Sequence, residues 1–527
     1  MKKIPLIIIV LFTVNFVFAQ NEKIELPELT TVVSTNSVDE ENVPVPDFND
    51  VVSMPEGSGE LVPKLPDINT NTAGQNSSND NQKDKNLFLV GIIGGGYPSS
   101  IIGSFSVTRA TENPFKLSFS HDSANGYASK SVNNLFNHRN NLIALDKTFK
   151  WNKLELNLAG SYEDNGNGLQ SKIDNISSVN QDSLTGSIML DWNFTENWKL
   201  QTGFSADYYF RYVDIASSSV TVDDWIKFSS DFNLNPFARI SYGTDKISTG
   251  FAFDADFAEH YVRTCTLVDF SYKNDVILFN TSAAYVFSKN ANSKNIFPFM
   301  IGLDSYIPIK FADRPVSISV SAGLDSSGIV QSAVEKEYKF TAYNLPACEQ
   351  TDWFGSLNVS FPVMESFTAE TGMEFRATAF DNYCVQPDYE ESSLVSGLYG
   401  YKSTKRNEFN TNVKCIYKYK IFTLTALWNT CWIEVPALKN ENSVDVNLSF
   451  QDKDAVWGAD IGTLILLAGK DKTPVLNLEG FVRLSDSTKL VLRAEDVLKL
   501  FTASERIYAG KYASEGGNIK LTFNFVF

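Results

Sequence analysis

The segment Ile519-Lys520-Leu521-Thr522-Phe523-Asn524-Phe525-Val526-Phe527 constrains this chain more than any other. Ile519, Leu521, Phe523, Phe525 and Phe527 fall on one side of an extended strand. Lys520, Thr522, Asn524 and Val526 fall on the other, the two-residue period of a strand with one oily face. Such a strand exposed to water is an aggregation template. With its aromatic side in lipid it is the closing strand of a transmembrane barrel. The same strand is the expected contact for the outer-membrane barrel-insertion machinery.

The other end of the chain predicts export. Met1-Lys2-Lys3 precedes an apolar run from Ile4 to Phe18, and Val17-Phe18-Ala19 offers a cleavage site. Residues 1–19 therefore read as a secretory signal peptide cut after Ala19. The run is shorter than the roughly 20 residues of a spanning helix. The strongest remaining apolar run, Leu464 to Ala468, lies between Asp460 and Lys470 and is shorter still. Membrane insertion must then use strands, closed into a barrel because lipid cannot satisfy an open edge.

Residues 20–85 differ from everything that follows. They hold 13 Asp/Glu against 4 Lys, six prolines, and Phe48 as their sole aromatic. Such a stretch buries too little apolar surface to offset its ordering entropy, which predicts a disordered periplasmic tail. Within it, Glu28-Leu29-Thr30-Thr31-Val32-Val33-Ser34 is a β-prone patch suited to pairing with another protein's sheet edge. A chance Val/Thr cluster in a linker accounts for it equally well.

From residue 86 to 527 alternation is the rule. Leu184, Ile188, Leu190, Trp192 and Phe194 alternate up to Thr195-Glu196-Asn197. Trp198, Leu200, Phe204, Ala206, Tyr208 and Phe210 then alternate away from it. This is a hairpin whose Trp192, Phe194 and Trp198 suit the bilayer interface. Similar hairpins turn at Gly243 to Lys246 and at Ser485-Asp486-Ser487. Longer polar stretches, Ser123 to Asn141, Glu163 to Ser183, Val213 to Asp223 and Asp381 to Asn407, read as external loops. With spanning strands of roughly 9–11 residues, the region predicts an all-β, antiparallel transmembrane barrel of about 20 strands, range 16–22. A soluble β-sandwich or propeller is the competing fold; strand length and the terminal Phe strand disfavour it.

Chemistry is harder to place. Loss of Lys2 and Lys3 takes the formal charge from −17 to −19, which excludes a nucleic-acid footprint. Five scattered cysteines, Cys265, Cys348, Cys384, Cys415 and Cys431, form no metal motif. Ile92 to Pro98 is Gly-rich but lacks the Lys-Ser/Thr and the helix of a phosphate loop. The only histidines, His121, His138 and His260, have no Ser or Cys partner at a recognisable motif, which predicts no enzyme. No cofactor or metal is expected. Asp207, Asp254 and Asp256 alternate with lipid-type positions, so they are expected on the lumen wall. There they either bias a pore toward cations or simply hydrate it.

Two regions resemble TonB-dependent receptors of the outer membrane. One runs from Leu490-Val491-Leu492-Arg493-Ala494-Glu495-Asp496-Val497-Leu498 through Tyr512-Ala513-Ser514-Glu515-Gly516-Gly517-Asn518 to the Phe strand. It is similar to that family's penultimate strand, acidic turn, Tyr-to-Gly loop and terminal aromatic. The other is Leu29 to Ser34, which resembles a TonB box and implies a TonB-type periplasmic partner. Leu87 to Gly126 is loosely similar to the family's first barrel strands. The family's plug domain has no counterpart: Thr35 to Lys85 is too short and too polar. The resemblance implies a plugless outer-membrane channel or receptor, in contact with membrane lipid, passing or importing small solutes. A non-transporting surface adhesin or structural barrel is the alternative.

Overall fold

The computed structural model describes residues 87–527 except 127–136, 174, 217–221, 260, 290–292, 310–313, 344–346, 381–383, 434–441, 468–472, 503–505 and 515. The signal peptide, the acidic tail and the Leu29–Ser34 patch lie outside the described residues, as does His260.

Twenty-two antiparallel strands close into one barrel. They are β1 (Leu87–Tyr97), β2 (Ser100–Arg109), β3 (Phe115–Asn125), β4 (Asn137–Trp151), β5 (Leu154–Gly168), β6 (Ile176–Asn193) and β7 (Trp198–Ile215). Next come β8 (Phe228–Gly243), β9 (Ile247–Ala258), β10 (Tyr261–Lys273), β11 (Ile277–Lys289), β12 (Phe299–Ile307), β13 (Val316–Ile329) and β14 (Cys348–Met364). The last are β15 (Phe367–Thr378), β16 (Asn407–Tyr419), β17 (Phe422–Cys431), β18 (Asn442–Gln451), β19 (Trp457–Leu466), β20 (Val475–Ser485), β21 (Thr488–Glu495) and β22 (Asn518–Val526). A short piece, Ser293–Ile296, extends the β12 position beyond Phe297-Pro298.

Closure is made by β1, which pairs with β2 on one side and β22 on the other. The register sets Val90 against Val526 and Gly96 against Lys520. An even strand number brings both ends of the barrel to one rim, where Leu89 and Phe527 exchange two backbone hydrogen bonds of 2.8 Å. That rim carries the tight turns, such as Asn152-Lys153, Glu365-Ser366 and Asp486-Ser487. The opposite rim carries the long connections, including 330–347, 379–406 and 496–517.

Alternation separates lipid from lumen. On β22, Leu521 is 48% exposed whereas Lys520 is 1% exposed. Ile519, Phe523 and Phe527 share the outward face, and Phe525 lies there over Gly91. Near the turn rim, Trp192, Phe194, Trp198 and Tyr242 form a continuous aromatic row with centroid spacings of 5.5, 6.3 and 5.1 Å. Aromatic rings at this height match the headgroup boundary of a bilayer. A closed barrel with this exterior is a membrane barrel.

Much of the polar stretch Glu163 to Ser183 is strand, not loop. β5 continues through Gly168 and β6 starts at Ile176, each running well past the length needed to cross lipid. The apolar period marks only the lipid-facing part of a strand. Backbone pairing continues above it with polar side chains.

Candidate functional site

The lumen wall of β7 presents Asp207, Tyr209 and Arg211 at two-residue intervals, while Tyr208, Phe210 and Tyr212 face outward in ring contact. Against this ladder lies α2 (Gln331–Glu337), a helix within the connection from β13 to β14. A shorter helix, α1 (Asp224–Lys227), lies in the connection from β7 to β8. Residues 330–343 thus form a strap across the interior face of β7 and β8.

Glu335 is the strap's peg. It is fully buried and forms an ion pair with Arg211 Nε at 3.1 Å. Tyr209 Oη donates to Glu335 Oε2 at 3.0 Å, and Ser229 Oγ donates to the same oxygen at 3.3 Å. The Tyr343 amide donates to Oε1 at 2.9 Å. Arg211 also donates to the carbonyls of Ile226 and Trp225 at 2.8 and 3.0 Å, tying α1 to the same point. One residue on, Lys336 Nζ lies 3.3 Å from both Asp207 oxygens and 5.5 Å from the Tyr209 ring centroid. Ser332 N donates to Asp231 at 3.1 Å. Burial pushes the Glu337 carboxyl up to about 7, against the opposing pull of the Tyr338 hydrogen bond and the Arg406 charge.

Asp254 and Asp256, on the inward face of β9, share Arg263 of β10 at 3.8 and 3.6 Å. Arg263 Nε pairs with Glu349 at 3.1 Å, and Tyr261 Oη donates to that carboxylate at 2.7 Å. Three carboxylates around one guanidinium leave this part of the wall acidic. Asp207 stands apart from the pair, with Lys336 as its counter-ion.

The long-loop rim closes over the lumen. Leu169, Ile176, Val179, Val213, Val222, Ile226, Phe340, Ala342, Leu398, Tyr399, Ala509 and Tyr512 form one buried cluster. Apart from Ile176 and Val179 of β6 and Val213 of β7, these residues come from five connections, and those after β5 and β15 sit nearly opposite each other around the ring. Gln170 and Ala513 exchange hydrogen bonds of 2.8 and 2.9 Å. Tyr399 and the strap pair through the backbone, Tyr399 N to Phe340 O and Ala342 N to Tyr399 O. Phe340 and Tyr512 stack at 4.3 Å. This cap has its own apolar core, so the mouth is held by packing as well as by polar contacts.

Sequence reasoning named Asp207 but neither Arg211 nor Glu335. The only local signal was Gln331-Ser332-Ala333-Val334-Glu335-Lys336-Glu337, a helix-prone run amid strands. Nothing in it names its partner across more than a hundred residues. Of the cysteines, Cys265, Cys348 and Cys415 are free thiols. Among the described residues no group of His, Cys, Asp and Glu has the makings of a metal site. His138 lies on the inward face, 3.8 Å from Asp122, and His121 lies outward on β3.

Neither a protein-family model nor a curated protein sequence matches the chain. Solved structures do. The FrpB iron transporter from Neisseria meningitidis (F5-1 variant) superposes with TM-score 0.61 at 10% identity, covering 84% of this chain and 83% of that one. The copper transporter OprC gives TM-score 0.62 at 9% identity over 84% and 82%. The Serratia marcescens hemophore receptor HasR, solved with its hemophore HasA and heme, gives 0.61 at 9% over 84% and 81%. At such identities the likeness is one of fold: the chain forms a closed 22-stranded antiparallel barrel, the fold it shares with these transporters and receptors.

Proposed function

We propose that the protein is an outer-membrane conduit that passes or imports small solutes, shut at its outer mouth until the cap and strap move. The observation that carries this reading is the pairing of a polar, charged lumen wall with loops packed over its mouth. A barrel this wide cannot fill itself with wall side chains, so it encloses a channel or holds a stopper. Asp254, Asp256 and Glu349 around Arg263 favour cations over anions along the wall. Asp207 contributes to that bias once Lys336 leaves it.

The acidic stretch, residues 20–85, precedes in sequence Leu87, which lies at the turn rim. In this reading its Leu29–Ser34 patch adds a strand to a TonB-type periplasmic protein, and no folded plug precedes the barrel. Signal-peptide cleavage after Ala19 delivers the chain to the periplasm for insertion. The test is conductance in planar bilayers for the full chain, a deletion of residues 22–85, and a Glu335→Ala variant. The reading expects low conductance in the full chain and a rise in Glu335→Ala. A rise on tail deletion would make the tail a stopper. Loss of binding to a purified TonB-type domain in Val32→Pro would support the patch.

The closed cap also favours a second reading, a sealed surface barrel whose loops bind a ligand. Zero conductance in every variant, with ligand binding by the outer loops, would select it.

A further inference from the structure

Near the long-loop rim the outward face of β3 and β4 carries a line of joined polar side chains. His121 Nδ1 lies 2.6 Å from Asn141 Oδ1, and His121 Nε2 lies 3.0 Å from Ser123 Oγ. Asn141 Nδ2 donates to Asp164 Oδ2 of β5 at 2.9 Å. That contact orients the amide, because a carboxylate accepts and so must face the nitrogen. The amide oxygen is left toward His121, and an amide oxygen also only accepts. The ring proton therefore sits on Nδ1. Nε2 is the bare acceptor, and it faces a serine hydroxyl, the relationship of a general base to its nucleophile.

The register places this line on the lipid side. Phe119 pairs with Phe105 and Ile143, and the Phe105 and Phe119 rings are 5.5 Å apart on the exterior. His121 and Ser123 continue that face two and four residues further, about 7 and 13 Å along the strand. Asp122, between them, points inward and is buried. β3 ends at Asn125, so Ser123 lies at the long-loop end of this outward face, beyond the apolar level of Phe119 and Ile143.

The neighbours suit an ester with an oily tail and an anionic head. Ile101, among the most exposed apolar side chains of β2, lies directly across from Ser123. Arg139 lies across from Ser123 on the other side, half-exposed and held by Asp164 at 2.8 Å. Gly103 lies across from His121, with open space where a Cβ would be. An acyl chain laid over Ile101, Phe105 and Ile143 brings its carbonyl to Ser123 and its head to Arg139.

We propose that Ser123 and His121, with Asn141 as positioning residue, form a serine hydrolase site for acyl esters of membrane lipid on the outer wall of the barrel. Ser123 Oγ bonds to the ester carbonyl carbon while its proton passes to His121 Nε2. The alkoxide leaves as the C–O bond breaks and takes that proton. Water then repeats the sequence, releasing the fatty acid and restoring Ser123. Arg139 is placed to stabilise negative charge on the carbonyl oxygen or the headgroup. Asp164 acts through Asn141 by keeping the amide from flipping. The site is separate from the lumen and does not depend on solute passage.

The test uses the full chain in mixed micelles of palmitoyl-oleoyl phosphatidylethanolamine, with fatty-acid release as one readout. The second is the mass of the peptide containing Ser123 after treatment with hexadecanesulfonyl fluoride. Ser123→Ala and His121→Gln should lower release by at least ~10³-fold. Asn141→Leu and Asp164→Ala should lower kcat by ~10² or more with little change in KM. Sulfonylation of Ser123 that disappears in His121→Gln supports the nucleophile even where this lipid is a poor substrate. No release above the Ser123→Ala level, together with no sulfonylation of Ser123 in the unmodified chain, overturns the proposal. The labelling readout needs no variant, so it decides even if a substitution prevents folding.

Discussion

Arg211 on the barrel wall and Glu335 on the strap are both fully buried and lie 3.1 Å apart, although 124 positions separate them in the chain. Removing one partner of such a pair leaves a buried charge without its counter-ion, a cost of ~3–5 kcal/mol. Glu335→Ala should therefore release residues 330–343 while the 22 strands stay closed. Limited proteolysis should cut the strap faster, and the protein should keep its heat-modifiable migration. Replacing both partners, as Arg211→Met with Glu335→Leu, should cost less than the single change. Equal proteolysis in all three forms would refute the peg.

Glu337 makes strap docking depend on pH. Its carboxyl titrates near 7 when docked, above the ordinary value of 4.5. The docked state then binds more protons than the released state between those values. Docking should tighten as pH falls through about 7 and gain nothing more below about 4.5. Protection factors of residues 331–343, corrected for the intrinsic exchange rate at each pH, should be lower at pH 8 than at pH 5.5. In Glu337→Gln the difference should vanish, with high protection at both.

The closing seam requires glycine. A Cβ on Gly96 would lie 2.0 Å from the Ile519 carbonyl oxygen, which is backbone and has nowhere to go. A Cβ on Gly91 would lie 2.2 Å from the Phe525 ring, which can swing aside. Gly96→Ala should cost about 1–3 kcal/mol of barrel stability. Gly91→Ala should cost less, and less again beside Phe525→Ala. Gly186→Ala, with nothing within 4 Å, serves as the neutral comparison. Urea midpoints of the folded, heat-modifiable form give the ranking.

Leu521 and Thr522 are neighbours at the middle of β22 that face opposite sides, Leu521 exposed to the exterior and Thr522 half-buried. Leu521→Arg should destabilise the inserted barrel by ~2–4 kcal/mol, the cost of a charge near the bilayer midplane. Thr522→Asn should be tolerated far better, since the same face already carries Asn524. Similar losses for both would mean that β22 does not present a lipid face.

The barrel was legible because its evidence is local. A two-residue period, tight turns and paired aromatics each occupy a dozen residues, and the Trp192 to Trp198 hairpin could be drawn before any contact was known. The strand number was less legible, since the polar upper parts of β5 and β6 carry no apolar period. Asp207, Asp254 and Asp256 could be assigned a side of the wall by parity alone. Their counter-ions, Lys336 and Arg263, could not, because parity says nothing about what crosses the lumen. His121 looked partnerless since its hydroxyl and amide neighbours form no linear motif. Ser123 is two residues away, and Asn141 is reached only through the β3–β4 register.

The sequence by itself determined that this chain spans a membrane with strands, which residues face lipid, and which strand closes the ring. Those follow from alternation, a property each strand carries alone. Only the tertiary structure decided that connections from opposite sides of the ring pack together at the long-loop rim, that Glu335 fastens the strap to Arg211, and that serine, histidine and asparagine meet on the outer wall. Each depends on bringing together residues from different strands and loops, and register and loop packing exist only once the barrel has closed.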